Sequence, residues 1–175
     1  EIWKSFTLND GERITWDVGA TRVEAARQGG DWLISSRPSD TPRNARIRTA
    51  KGDVADSPDR QRWSFKTARD TIEFKPSMPD RPLVVVPDAP LGIPPASEIQ
   101  FFINIPAWVN VSIRDGRKSV DIARIPSEIL SNTWFGDLAS GVFCYSSKSH
   151  IRRLKKEIDV IPTQVICPFL IRNKG

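Results

Sequence analysis

"EIQFFINIPAWVNVSIRDGRKSVDIARIP", residues 98–126, decides the fold class. Ile99, Phe101, Ile103 and Ile105 recur at every second position, so an extended chain sets all four on one face. Pro106 lacks a backbone donor and breaks the run. Val109, Val111 and Ile113 then resume the alternation. Arg114-Asp115-Gly116-Arg117 carries the Asp-Gly signal of a tight hairpin, after which residues 118–125 return antiparallel.

The same period governs the flanking chain. "ERITWDV" places Ile14, Trp16 and Val18 on one face, and "DWLISSR", "RWSFKT" and "TIEFKP" are similar short runs. Asn9-Asp10-Gly11 has the composition of a hairpin turn between the first two runs. "RPLVVVP" is fenced by Pro82 and Pro87, as in a strand buried on both faces or an edge strand stopped by proline. "GVFCYSS" and "TQVICPFLIRN" supply two more strands. Residues 38–61 are polar and charged and are read as a long surface loop. Residues 150–158 give the one helix expected, with Ile151, Leu154 and Ile158 on one side and cations around the rest. The pattern implies an all-β fold: an antiparallel β-sandwich, jelly-roll or immunoglobulin-like in character, with one short helix near 150–158.

The 175 residues suffice to bury a core and are read as a single β domain. Fourteen prolines, spread along the chain, oppose long helices. The formal charge of +5 permits attraction to nucleic acid, anionic lipid or an acidic protein face. Two cysteines and one histidine are too few for a disulfide framework or a thiolate or histidine metal site, so no metal and no cofactor is expected. Cys144 and Cys167 are read as reduced core thiols, with a disulfide between them as the alternative. No apolar run approaches the roughly 20 residues of a membrane span. The first residues have no signal-peptide pattern, which places the protein in the cytoplasm, with a removed leader left open. The sequence stops just after a strand and is read as a fragment lacking C-terminal residues.

No glycine-rich phosphate loop, G-x-S-x-G elbow, H-E-x-x-H or C-x-x-C is present. No catalytic residue is assigned. Asp80, Asp88 and Asp137 sit in loops, where two could converge as an acid pair, although loop aspartates usually cap turns. Cys144 and His150 could form a nucleophile and base, although a cysteine between Phe143 and Tyr145 more often packs.

"SNTWFGD", residues 131–137, holds two large aromatics in a turn-like segment. One reading folds Trp134 and Phe135 back as a plug over the open end of the sandwich. The other presents Trp134, Phe135 and Asp137 to a partner. Arg152, Arg153, Lys155 and Lys156 form a candidate basic patch, and Arg43, Arg46 and Arg48 a second basic segment.

"PDRPLVVVPDAPLGIPP" (residues 79–95), "FFINIPAWV" (101–109), "SNTWFGD" with "CYSS" shortly after, and "ICPFLIRNKG" (166–175) together resemble an uncharacterised prokaryotic family, domain of unknown function 432. The resemblance covers residues 70–175 and implies no activity. The function expected is a non-enzymatic interaction or accessory module that docks a protein partner. The alternatives are a binder of nucleic acid or another anionic ligand through the basic patch, and a hydrolase with an unrecognised site. An unpaired sheet edge would also allow a homodimer.

Overall fold

Backbone pairing follows the alternation of the sequence. A computed structural model describes residues 2–39, 46–52, 54 and 58–175, and fourteen strands lie among them. Read from its length as one domain, the chain divides into two compact units, Glu1–Met78 with Trp108–Ile129, and Pro79–Ala107 with Leu130–Gly175.

The first unit is a two-sheet antiparallel sandwich. One sheet orders β1 (Ser5–Thr7), β7 (Thr71–Ser77), β10 (Trp108–Asp115) and β11 (Lys118–Ile125) as β1-β7-β10-β11. The other holds β2 (Glu12–Val18), β3 (Thr21–Gln28), β4 (Asp31–Pro38), β5 (Arg46–Lys51) and β6 (Gln61–Trp63) in the order β5-β2-β3-β4-β6. The alternating residues meet between the sheets. Ile14, Trp16 and Val18 of β2 share one core with Ile72 and Phe74 of β7 and Val109, Val111 and Ile113 of β10. Each buried side chain of this size contributes about 1.5–3 kcal/mol through removal of apolar surface from water. Gly116, at φ +53°, turns β10 into β11 as the Asp-Gly signal requires.

The second unit is smaller. β8 (Leu83–Pro87), β12 (Ser131–Phe135) and β13 (Val142–Ser149) form a sheet of order β12-β13-β8. β8 runs parallel to β13, which resolves the "LVVVP" run as an edge strand ending at Pro87. β9 (Ser97–Pro106) pairs antiparallel with β14 (Gln164–Asn173) as a second sheet. Phe101, Ile103 and Ile105 of β9 form the core, with Leu83 and Val85 of β8 packed against it.

Three local readings are corrected. The polar stretch 38–61 is not all loop: Arg46–Lys51 is β5, paired residue by residue with β2. Residues 40–45, 53 and 55–57 of that stretch lie outside the described residues. The Asn9–Gly11 turn exists, with Glu12 N–H bonded to the Asn9 carbonyl at 3.1 Å, but it closes no hairpin. β1 pairs with β7 and β2 with β3, so the turn passes the chain from one sheet to the other.

The helix expected over 150–158 contracts to a 3-10 turn, Lys155–Glu157. Its N-terminal half is claimed by non-local partners. Arg152 exchanges both backbone bonds with Phe102, at 2.8 and 3.0 Å, and Ile151 N–H bonds the Asp88 carboxylate. Leu154 and Ile158 flank the turn in extended conformation. Tertiary pairing thus overrides the helical spacing. Among the described residues no helix is long and apolar enough to cross a membrane.

Candidate functional site

The "SNTWFGD" segment is a strand and a turn. Residues 131–135 are β12, which pairs antiparallel with β13 so that Trp134 faces Phe143, Phe135 faces Val142 and Asn132 faces Tyr145. Across β13, Tyr145 stands beside Leu83 of β8. Cross-strand partners share a face, so Asn132, Trp134, Phe143, Tyr145 and Leu83 line one side of the sheet. At the Leu83 end that side packs on the core of the unit. At the Trp134 end no described residue of this unit covers it fully.

The plug reading is therefore overturned. Trp134, Val142 and Phe143 are about half exposed, Phe135 is 64% exposed and Leu138, at the tip, 93%. Trp134 and Phe143 open one face of the hairpin and Phe135 and Val142 the other, so the tip is apolar on both sides, and exposed apolar surface of this kind marks interaction sites.

The tip is also rigid. Trp134 Nε1–H donates to the Asp137 carbonyl at 3.0 Å, and Gly141 N–H donates to the same oxygen at 2.6 Å. The Asp137 carboxylate accepts from Ala139 N–H at 2.8 Å, so this side chain is spent inside the turn. Gly136 takes φ +104°, a conformation that favours glycine. A Cβ on Gly141 would overlap Trp134 Nε1 and the Asp137 carbonyl, so the Nε1 edge of the indole occupies the space a side chain would take.

Arg81 completes the patch. Its guanidinium lies 4.9 Å from the Phe143 ring and 5.3 Å from the Tyr145 ring, with Nη1 at 3.5 Å from Asn132 Oδ1. A cation over an aromatic face is attracted by the ring quadrupole, worth about 0.5–1 kcal/mol at an exposed site. Tyr145 O–H donates to Asp80 at 2.9 Å, and partial desolvation, then this bond, raise the phenol above its usual range. Arg81 was invisible as a site residue in the sequence, because 62 positions separate it from Phe143.

The remaining candidates do not converge. Asp80 binds Tyr145, Asp137 caps its turn, and Asp88 binds His150 Nδ1 at 2.5 Å. Bonds from His150 and then from Ile151 N–H hold the Asp88 carboxyl below its ordinary value. Cys144 is buried, with its thiol at 3.2 Å from the Val142 carbonyl. His150 follows six residues along an extended strand, about 20 Å away, so the two form no nucleophile–base pair. Both cysteines are free thiols, which removes the Cys144–Cys167 disulfide alternative.

Arg152 is anchored by its backbone to Phe102, whereas Arg153, Lys155 and Lys156 are exposed. Without the helix these cations share no helical face. Arg43 lies outside the described residues, and Arg46 and Arg48 fall on β5. Among the described residues no three metal-ligating side chains gather in one place.

Fold and site together define an all-β protein of small sandwich units with a rigid aromatic hairpin left open to solvent. The chain belongs to the family described as protein of unknown function DUF432, which it matches over residues 2–175. The membership therefore extends through the N-terminal third, beyond the span over which motifs were legible. No curated protein and no solved structure matches the chain.

Proposed function

We propose that the chain is a non-enzymatic interaction module that docks a protein partner through the β12–β13 hairpin. One observation carries this reading. The Trp134 indole N–H is already satisfied by Asp137, while its ring and those of Phe135 and Phe143 stay open to solvent. A partner can therefore bury the apolar rings without stranding a polar group, whose desolvation would cost about 1–3 kcal/mol. Because the turn holds the rings in place beforehand, little ordering entropy is lost on binding. Arg81 beside the rings and the net charge of +5 favour a partner with an apolar recess and an acidic rim.

The test is retention of protein from nuclease-treated native lysate by the chain and by its Trp134→Ser/Phe135→Ser variant, with circular dichroism as the control for folding. Proteins held by the wild type and lost by the folded variant support docking at the hairpin. Equal retention by both forms, or none by either, overturns it.

A further inference from the structure

β14 presents a second surface, of different chemistry. Ten consecutive residues, Gln164–Asn173, pair with β9 without a bulge, and among the described residues β9 is the only strand beside β14. The direction of its outer backbone groups follows from β9. Phe102 spends its N–H and C=O on Arg152, and Asn104 N–H reaches Ser149 Oγ at 3.1 Å, so both point away from β14. Pro168, opposite Phe102, is thus a non-hydrogen-bonded partner whose carbonyl points to the outer edge. With a period of two, Ile166, Leu170 and Arg172 also point their N–H and C=O groups outward.

Pro168 is the one protective feature of this edge. Free edges in natural sheets are short, charged, bulged or interrupted by proline, and β14 is otherwise open. β14 is about twice the mean strand length of 5–6 residues. No charged residue occurs from Gln164 to Ile171, and Val165, Phe169, Leu170 and Ile171 are about half exposed. Val165, Cys167, Phe169 and Ile171 share the face of Ile105, Ile103, Phe101 and Ile99, the core side of the sheet, and Phe169 stacks on Phe101 at 5.5 Å. The core face therefore runs out along β14 half covered.

We propose that β14 pairs antiparallel with β14 of a second copy of this chain, about a two-fold axis at Phe169. In that register each Ile166 exchanges both backbone bonds with Arg172 of the other copy. Each Leu170 N–H meets the Pro168 carbonyl, so the missing proline donor leaves only one carbonyl unpaired per strand. An axis at Pro168 would set two donorless residues face to face. An axis at Leu170 would set Cys167 against Asn173 and shorten the overlap. With the axis at Phe169 the two Phe169 rings are neighbours, Cys167 lies against Ile171, and the apolar row continues across the join. No like charges are opposed, because Arg172 stands over Ile166 and is already compensated by Glu98 at 2.8 Å. The result is a four-stranded sheet that closes by symmetry. The hairpin tip takes no part, so the two proposals fail separately.

Sedimentation and oxidative cross-linking of the full chain test the pairing. The wild type is expected to sediment as a dimer at micromolar concentration, and a monomer overturns the proposal. In non-hydrogen-bonded antiparallel pairs the Cα atoms lie about 4.5 Å apart, within disulfide range. Ile171→Cys, treated with diamide, is therefore expected to form an intermolecular disulfide with the native Cys167, located by peptide mapping. The two positions are four residues apart on one extended strand and cannot join within a chain. Adding Cys167→Ser is expected to abolish the cross-link. A wild-type dimer that gives no Ile171→Cys cross-link uses another surface and overturns the proposal. Ile166→Lys, which sets a lysine against Arg172, is expected to weaken dimerisation about tenfold with the β spectrum unchanged, and unchanged dimerisation also overturns it.

Discussion

Trp16 and Trp134 both sit on alternating antiparallel strands, yet Trp16 is wholly buried and Trp134 half exposed. The difference lies in what faces each sheet. In the first unit a five-stranded and a four-stranded sheet cover each other, and Trp16 stacks on Phe74 at 4.3 Å with Trp3 edge-on at 5.6 Å. In the second unit the sheets have three strands and two, so four of five strands lie at an edge. Apolar residues on such strands point toward the core side but outrun their cover. Strand alternation sets which way a side chain points, whereas the width of the opposing sheet sets whether it is buried. Exposed apolar surface arises where those two quantities disagree.

The comparison breaks most visibly in the first unit. Trp16→Ala removes a ring packed on both sides and is expected to cost about 3–5 kcal/mol. The cost is read as a lower denaturant midpoint at unchanged slope. Phe143→Ala, on the open face of the second unit, is expected to cost about 1 kcal/mol in the same experiment, through loss of the Arg81 contact and partial cover. Equal costs would mean that the second unit is closed in solution.

Gly141→Ala probes the rigidity of the open hairpin. The added methyl must displace the Trp134 indole or the turn, at an expected cost of about 1–3 kcal/mol. A red shift and quenching of tryptophan fluorescence should accompany it. The double variant Gly141→Ala/Trp134→Ser should recover only part of the loss, since it removes the overlap with the indole and leaves that with the Asp137 carbonyl.

Much of the fold was legible because alternation is local. β2, β10 and β9 point Ile14, Val109 and Phe101 inward as the period of two requires. Pairing partners were not legible, since they are distant in sequence. β5 was hidden because its residues are mostly polar and its support comes from the backbone ladder to β2. The 150–158 segment has the spacing of a helix, but the unpaired side of Phe102 and the Asp88 carboxylate claim its amides first. At the site, Trp134 and Phe135 stood out by composition. The exposure of Trp134 did not, because it depends on how far the core face is covered, and that of Phe135 did not, because it lies on the opposite face.

The corner that joins β13 to residues 150–152 gives a smaller, pH-dependent effect. The Asp88 carboxyl is depressed first by the bond from His150 and then by that from Ile151 N–H. A group of this sign stabilises the fold above its unfolded value, and the contribution is lost as pH falls through the lower folded value. The stability gap between wild type and Asp88→Asn is therefore expected to be open at neutral pH and to close on acidification. The Ile151 amide shift should titrate with a midpoint below the ordinary aspartate value. A gap that persists in acid would assign the corner to packing.

The smallest effect on stability separates the two regions most sharply. Phe135→Ser alters a side chain that is 64% exposed and paired only with the equally open Val142. Its expected cost is within about 0.5 kcal/mol, the range of ordinary surface substitutions. A phenylalanine on a strand of the first unit, Phe74, would cost several times that on the same change, because its ring is buried against Trp16 and Phe6. If Phe135→Ser instead proves as damaging as Phe74→Ser, the face of the hairpin that carries Phe135 and Val142 is covered in solution. If it is silent in unfolding yet abolishes partner retention, the ring is spent on recognition and not on the fold.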